Sequence, residues 1–364
     1  MDIVRIAADL QTHLCPILFL RKKEFPTMSG SGSETSIVTP TILKIGEGIM
    51  TNKITIIGAG SVGSTIAYTL AVNGIASEVV LIDVNTQKAL GEAMDIRQAT
   101  PFAAQTQVYA GSYSDAKDSN IVIVTSGIAR KPGQSRIDLT QTNVNIIKSI
   151  APEIVRYAPD AIYILVSNPV DILTYVFGKV SGLPTNRVIG SGTILDTARL
   201  RTRLAEYFSI SQKNIHAYVL GEHGDSSFIP WSMASISSIS LEDYRKSLVG
   251  DDDVLPELDV EEVEKYVRTS GGKIIGRKGA TYYGIAASVC HICRCLFSST
   301  DTILTVSSAM TGEYGLNDVA LSVMSVVGSE GIKGNICAKL TDEEMVKLNH
   351  SADVLKDVIR QISI

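Results

Sequence analysis

The chain has 364 residues, 45% of them hydrophobic and 20% charged, which is enough to bury one large core or two of ordinary size. Its 33 basic and 38 acidic side chains leave a formal net charge of -5, the wrong balance for a partner with a phosphate backbone. Eleven prolines and 29 glycines do not fit a collagen-like or wholly disordered chain, and five cysteines, an odd number, do not fit a secreted disulfide framework.

No stretch reaches the roughly eighteen consecutive apolar residues of a membrane span, so a soluble protein without a membrane partner is expected. The run Cys15-Pro16-Ile17-Leu18-Phe19-Leu20 follows Asp2 and Asp9 and precedes Arg21, Lys22 and Lys23, the reverse of a secretory signal. A cytoplasmic location is therefore expected. Met28 opens Ser29-Gly30-Ser31-Gly32-Ser33-Glu34, a composition that buries no face. Residues 1–51 are read as a flexible N-terminal extension, with translation starting at Met28 or Met50 as the alternative to a loose arm.

Folding logic begins at Lys53. Ile54-Thr55-Ile56-Ile57 is a strand buried on both faces, and Gly58-Ala59-Gly60-Ser61-Val62-Gly63 follows at once. A helix over Ser64 to Val72 carries Ile66, Ala67 and Leu70 until Gly74 stops it. A second strand, Val79-Val80-Leu81-Ile82, ends in Asp83, twenty residues after the third glycine. This is a dinucleotide fingerprint in its required context. Gly58 permits the tight turn, Gly60 lets backbone approach a pyrophosphate, and Gly63 lets helix and strand pack closely. The helix N-terminus offers unpaired N–H groups to the phosphates. Asp83 is placed to accept hydrogen bonds from the adenosine ribose and to repel a 2′-phosphate, so NAD is favoured over NADP. Strand candidates at 121–125, 162–166 and 187–189, separated by helical patterns such as 139–157, imply right-handed crossovers and a doubly wound parallel sheet. Ligands then sit at the C-terminal strand ends. Thr125, Gly127 and Asn168, at two such ends, join Gly58, Gly60, Gly63 and Asp83 as cofactor-binding candidates.

After strand 121–125, Arg130, Lys131 and Arg136 lie within seven positions of a glycine-containing loop, which is suited to closing over a carboxylate and equally to being a solvated basic loop. Asn168, in Ser167-Asn168-Pro169-Val170-Asp171, is placed to bond a ligand near the nicotinamide, although an Asn–Pro turn accounts for the same residues. Asp196 and Arg199 stand three apart on one helix face, as ligand groups or as an ordinary ion pair. His223, between Gly221 and Gly224, is the sharpest single residue. An imidazole titrates near neutrality, and a buried aspartate partner would fix its tautomer and favour its protonated form.

Residues 251–265, rich in Asp251, Asp252, Asp253, Glu257, Asp259, Glu261, Glu262 and Glu264, read as a solvated loop and a first helical turn. Cys290, His291, Cys293 and Cys295 are helix neighbours in the core or near it. No second Cys/His pair completes a tetrahedral zinc set, so no metal is expected. Strands at 302–306 and 319–327 should pair antiparallel, and Asp342 to Ile362 should form a packed C-terminal helix.

Asp196-Thr197-Ala198-Arg199, Ser167-Asn168-Pro169-Val170-Asp171 and Gly221-Glu222-His223-Gly224-Asp225-Ser226 closely resemble the motifs of the L-lactate/malate dehydrogenase family, and the resemblance covers residues 52–361. It implies a Rossmann NAD-binding domain over 52–190, a mixed α/β substrate-binding and catalytic domain over 191–364, and a homotetramer or homodimer. It implies that His223 donates and accepts the proton, that Asp196 is its carboxylate partner, and that Arg199 clamps the substrate carboxylate. Asn168 would orient the substrate, and Arg136 on a mobile loop would polarise the carbonyl. Lactate dehydrogenases of the family usually carry glutamine six positions before that arginine and malate dehydrogenases carry arginine. Here it is Arg130. Facing a lactate methyl, a guanidinium would be desolvated without a counter-charge, whereas facing a second carboxylate it gains a pair worth about 1.5–3 kcal/mol. Malate/oxaloacetate is therefore the first expectation.

Elsewhere the chain resembles bacterial lactate dehydrogenases. Lys278-Gly279-Ala280-Thr281-Tyr282-Tyr283-Gly284 places Thr281 at their substrate-pocket threonine, and Arg201 and His216 stand where they bind fructose 1,6-bisphosphate as an allosteric effector. Lactate/pyruvate is the alternative substrate pair. A third reading, an NAD-binding protein without turnover, would keep Gly58, Gly60 and Asp83 but has no use for His223, Asp196, Arg136 and Arg199 together.

Overall fold

The computed structural model describes residues 52–128, 133, 135–247 and 257–364. The N-terminal extension with Met28 and Met50, the loop residues Arg130 and Lys131, and Asp251, Asp252 and Asp253 lie outside the described residues.

Strand β1 (Lys53–Ile57) leads through the glycine turn into α1 (Ser61–Val72), β2 (Glu78–Ile82), α2 (Thr86–Ala99), β3 (Gln107–Ala110) and β4 (Ile121–Val124). Helix α3 (Arg136–Tyr157), β5 (Ile162–Leu165), α4 (Val170–Ser181) and β6 (Val188–Gly190) complete this part. The six strands run parallel in the order β3-β2-β1-β4-β5-β6, the doubly wound arrangement that alternating strands and helices demand. Alternation within each strand divides the core. Ile54, Ile56, Ile121, Ile123, Ile162 and Ile164 pack with α1 and α2, while Val122, Val124, Tyr163 and Leu165 pack on the other face with α3 and α4. Both faces are covered, so β4 and β5 are buried throughout.

The chain continues through α5 (Ile194–Phe208), the short strands β7 (Ile215–His216), β8 (Ser235–Ile236) and β9 (Ile239–Ser240), α6 (Leu241–Ser247), α7 (Val260–Lys278) and α8 (Tyr283–Leu296). Then come β10 (Thr302–Thr311), β11 (Asn317–Gly328), β12 (Gly331–Asn335) and α9 (Asp342–Gln361). The antiparallel pairing expected near 302–327 occurs between β10 and β11, but not in a separate sheet. Ser307 of β10 pairs with Gly190 of β6, so β10, β11 and β12 extend the parallel sheet to nine strands. A side chain on Gly190 would collide with Thr174 and Ser307, which accounts for the glycine at this junction. Helix α8 returns to α1 and buries Cys290, Cys293 and Cys295 as expected, whereas His291, expected in or near the core, falls on the helix face turned away from α1 and is exposed. The first turn expected in the acidic stretch is the start of α7, where Asp259 accepts from the Glu262 N–H. No described helix is long and apolar enough to cross a membrane.

Candidate active site

The glycine turn is held from three sides. Gly58 has a φ of +108°, and its N–H donates to Ile82 O at 2.7 Å. Thr125 donates its hydroxyl to Gly58 O at 2.9 Å, and the Asp83 carboxylate accepts the Ala59 N–H at 2.6 Å and the Asn85 N–H at 2.8 Å. A Cβ on Gly63 would fall inside contact distance of the Gly58 carbonyl, whereas a Cβ on Gly60 would meet nothing within 4 Å. Gly60 thus faces open space at the N-terminus of α1, where no side chain caps the first N–H groups. Thr125 thus braces the turn with its hydroxyl hydrogen, which lies between the Ile57 and Gly58 carbonyls. Gly127 lies where a Cβ would press on Asn143 and Ser167 at 3.4 Å, and Asn143 ties this loop together by accepting from Ile128 N and donating to Asn168 O.

Beyond the C-terminal ends of β5 and β6 lies a cavity of about 240 Å³ whose walls include Asn168, Asp196, Arg199, His223, Arg268 and Thr281. Asp196 sits in the first turn of α5 and is buried. Its Oδ2 is 2.5 Å from His223 Nδ1 and its Oδ1 accepts from Arg199 Nη1 at 2.7 Å. Because an ionised carboxylate only accepts, Nδ1 carries the hydrogen and Nε2 is the nitrogen left to exchange a proton. Burial pulls the His223 pKa down, but the Asp196 carboxylate outweighs it and the net shift is upward. Burial acts on Asp196 in the opposite sense, and His223 and Arg199 together hold its pKa below the usual carboxylate value. The ion pair expected on one helix face and the ligand-facing cluster are therefore one arrangement.

Arg136 stands differently from the expectation. It is the first residue of α3 rather than part of a loop, because Ser135 caps the helix by accepting from Asp138 N at 3.0 Å. Its guanidinium donates to the buried Glu222 carboxylate at 3.1 Å and lies 3.7 Å from Asp225, half-exposed and outside the cavity wall. Arg201 donates to Ala217 O at 3.1 Å and stacks over the Tyr218 ring at 5.1 Å, with His216 exposed nearby on β7. Three site residues escaped the sequence reading: Glu222 as partner of Arg136, Arg268 from α7, and Asp171, which accepts the His223 N–H at 2.7 Å. Asp171 had a signal, being a lone carboxylate in the apolar run Val170-Asp171-Ile172-Leu173.

Two family models match the chain: the lactate/malate dehydrogenase NAD binding domain over residues 52–190 and the lactate/malate dehydrogenase alpha/beta C-terminal domain over 193–363. The chain belongs to the lactate/malate dehydrogenase family. It is 46% identical over 313 residues to an L-lactate dehydrogenase of Thermoanaerobacterium saccharolyticum, covering 86% of this chain and all of that one. It is 47% identical over 314 residues to that of a Thermoanaerobacter species, again 86% of this chain and all of the relative. Among solved structures, a lactate dehydrogenase from a Medee basin deep-sea metagenome library aligns with a TM-score of 0.82 at 38% identity, over 85% of this chain and 98% of that one. The minor L-lactate dehydrogenase of Enterococcus mundtii aligns at 0.81 and 38%, over 86% and 99%. As a family member this dehydrogenase uses NAD. The residues present fit that cofactor: Gly60 leaves room beside the free N–H groups of α1, and the Asp83 carboxylate stands at the adjoining strand end.

Proposed function

We propose that this family member is an NAD-dependent L-lactate dehydrogenase, interconverting pyruvate and L-lactate. The chemistry rests above all on one observation, the Asp196 carboxylate joining His223 and Arg199 at the wall of a small cavity. Bound NADH supplies the hydride that reduces the C2 carbonyl of the substrate. Protonated His223 gives its Nε2 proton to the developing alkoxide, and Asp196 stabilises the charged ring and fixes its tautomer. Arg199 keeps one guanidinium edge on Asp196 and turns the other toward the substrate carboxylate, while Asn168 and Thr281 orient the remaining polar atoms. Arg136 leaves Glu222 to polarise the carbonyl.

The monocarboxylate choice is supported by the relatives, which are named L-lactate dehydrogenases at 46–47% identity. It departs from the first expectation, in which Arg130 favoured oxaloacetate. Arg130 still supports an L-malate dehydrogenase as the second reading. NADH oxidation with pyruvate and oxaloacetate side by side decides between them: a higher kcat/KM for oxaloacetate would overturn the lactate assignment, and no turnover with either would favour an NAD-binding protein without catalysis. We further propose a cytoplasmic homotetramer or homodimer in which Arg201 and His216 bind fructose 1,6-bisphosphate. The same assay with and without the bisphosphate, on the wild type and Arg201→Gln, tests that site.

A further inference from the structure

Asp171 lies outside every role given so far. It occupies the first turn of α4, is 2% exposed, and gives one oxygen to the His223 N–H at 2.7 Å. Its other oxygen, Oδ1, and the buried Ser307 hydroxyl on β10 complete no well-formed hydrogen bond among the described residues, although Ser307 lies close enough to lower the Asp171 pKa. A buried carboxylate with one orphaned oxygen is costly, and packing alone gives no reason to place a charge there. We propose that Asp171 is a positioning residue: it anchors the backbone of His223 and sets a second buried carboxylate next to the residue that carries the imidazole, so that Asp196 is not the only acid holding the histidine for proton transfer.

The inference rests on His223 being the proton-transfer group of the proposed function. The charged groups facing this histidine are Asp196 and Arg199 from α5, Asp171 from α4, Arg268 from α7, and Glu222 and Asp225 from its own loop, with Arg136 of α3 paired to the last two. Burial lifts the Asp171 pKa to about 6 against the Ser307 hydroxyl and the His223 N–H, which both lower it. The aspartate also raises the proton affinity of His223, adding to Asp196. Removing its charge therefore makes the imidazole a weaker base while leaving the Asp196 contact in place.

Asp171→Asn is the informative substitution. Its amide oxygen can still accept the His223 N–H, and its amide N–H₂ turns toward the orphaned Ser307 hydroxyl, so the fold is retained. Histidines labelled with ¹³C at Cε1 are titrated by NMR in the wild type, in Asp171→Asn, and in His223→Gln, which identifies the His223 resonance by its loss. The expected result is a His223 titration moved to lower pH by about 0.5–1 in Asp171→Asn, with its melting temperature at pH 8 no lower than that of the wild type. The falling limb of 2-oxo acid reduction should move with it, lowering kcat at pH 8 while KM stays within about twofold. An unmoved His223 titration in a folded Asp171→Asn protein would overturn the proposal. A wild type that reduces neither pyruvate nor oxaloacetate would instead overturn the proposed function, a failure the NMR titration keeps separate.

Discussion

The two glycines at either end of Gly60–Gly63 make opposite demands, and replacing each with alanine separates folding from cofactor binding. At Gly63 the new methyl would run into the Gly58 carbonyl oxygen and lie 2.8 Å from Thr125 Oγ1. The obstacle is backbone, so relief requires moving α1 off β1. Overpacking of this kind costs about 1–3 kcal/mol, and the helix propensity gained by alanine returns about 1 kcal/mol. Because the obstacle is backbone, the upper end of the cost applies, and the net loss of about 2 kcal/mol lowers the melting temperature by roughly 3 °C for a chain of this size. At Gly60 no atom lies within 4 Å of the new methyl and φ is −73°, so alanine fits the free protein. Losing a glycine N-cap costs about 0.5 kcal/mol, and reduced freedom of the unfolded chain returns about as much. Its melting temperature should stay within about 2 °C of wild type. The methyl then occupies the space a pyrophosphate would take, and NADH binding should weaken at least about tenfold, or about 1.4 kcal/mol. Thermal melts without ligand and NADH fluorescence titrations measure both quantities. Wild-type NADH affinity in Gly60→Ala, or an unchanged melt in Gly63→Ala, would refute the reasoning.

His223→Ala should lower turnover by about 10²–10⁴ while leaving the NADH dissociation constant within about threefold, as read by steady-state kinetics and fluorescence. Substrate reduction consumes the His223 proton, so kcat/KM should be level at low pH and fall as pH rises through the raised His223 pKa. Asp196→Asn removes the larger source of that rise, and a pH–rate profile should show the falling limb at lower pH. The same raised pKa stabilises the fold below the ordinary histidine value of about 6.5, and this contribution disappears as pH climbs through the folded-state value, so His223→Ala should lose more melting temperature at about pH 6 than at about pH 9. Arg199→Lys gives up the two-edged fork shared by Asp196 and the substrate and should raise KM for the 2-oxo acid about tenfold or more in initial-rate measurements. Arg130→Gln should move the ratio of specificity constants from oxaloacetate toward pyruvate, and a ratio that stays put would remove the argument from that arginine.

The nucleotide half was readable because each requirement falls on consecutive residues. The strand, the three glycines, the helix and Asp83 span one short segment, and steric need marks each position. The parallel sheet followed from β-branched runs alternating with helical ones. What sequence spacing could not reveal was contact across long separations. Nothing local says that β10 joins β6, and the close fit of Gly190 against Thr174 and Ser307 emerges only once three elements meet. Arg136 was legible as a cation near the site but not as the partner of Glu222, 86 positions away. Asp171 was visible only as a carboxylate in an apolar run, and its partner, the His223 N–H 52 positions away, emerges only when α4 meets that loop.

These long-range contacts change how substrate choice should be viewed. Three buried carboxylates, Asp171, Asp196 and Glu222, already lie on or against the loop that carries His223, and Arg199 and Arg136 are engaged with two of them. Binding a 2-oxo acid therefore redistributes existing ion pairs rather than filling an empty cationic pocket. Under the proposed function Arg199 can serve Asp196 and a substrate carboxylate at once, but Arg136 has to release Glu222, leaving a buried negative charge that among the described residues keeps only the Ser226 side chain and N–H. A monocarboxylate adds one anion to this set. A dicarboxylate adds two, and the second must be met by a cation with no carboxylate of its own nearby. Arg130 is the residue that the family resemblance sets against it, so under the proposed function the ratio of specificity constants for pyruvate and oxaloacetate weighs that guanidinium against the buried acids already present.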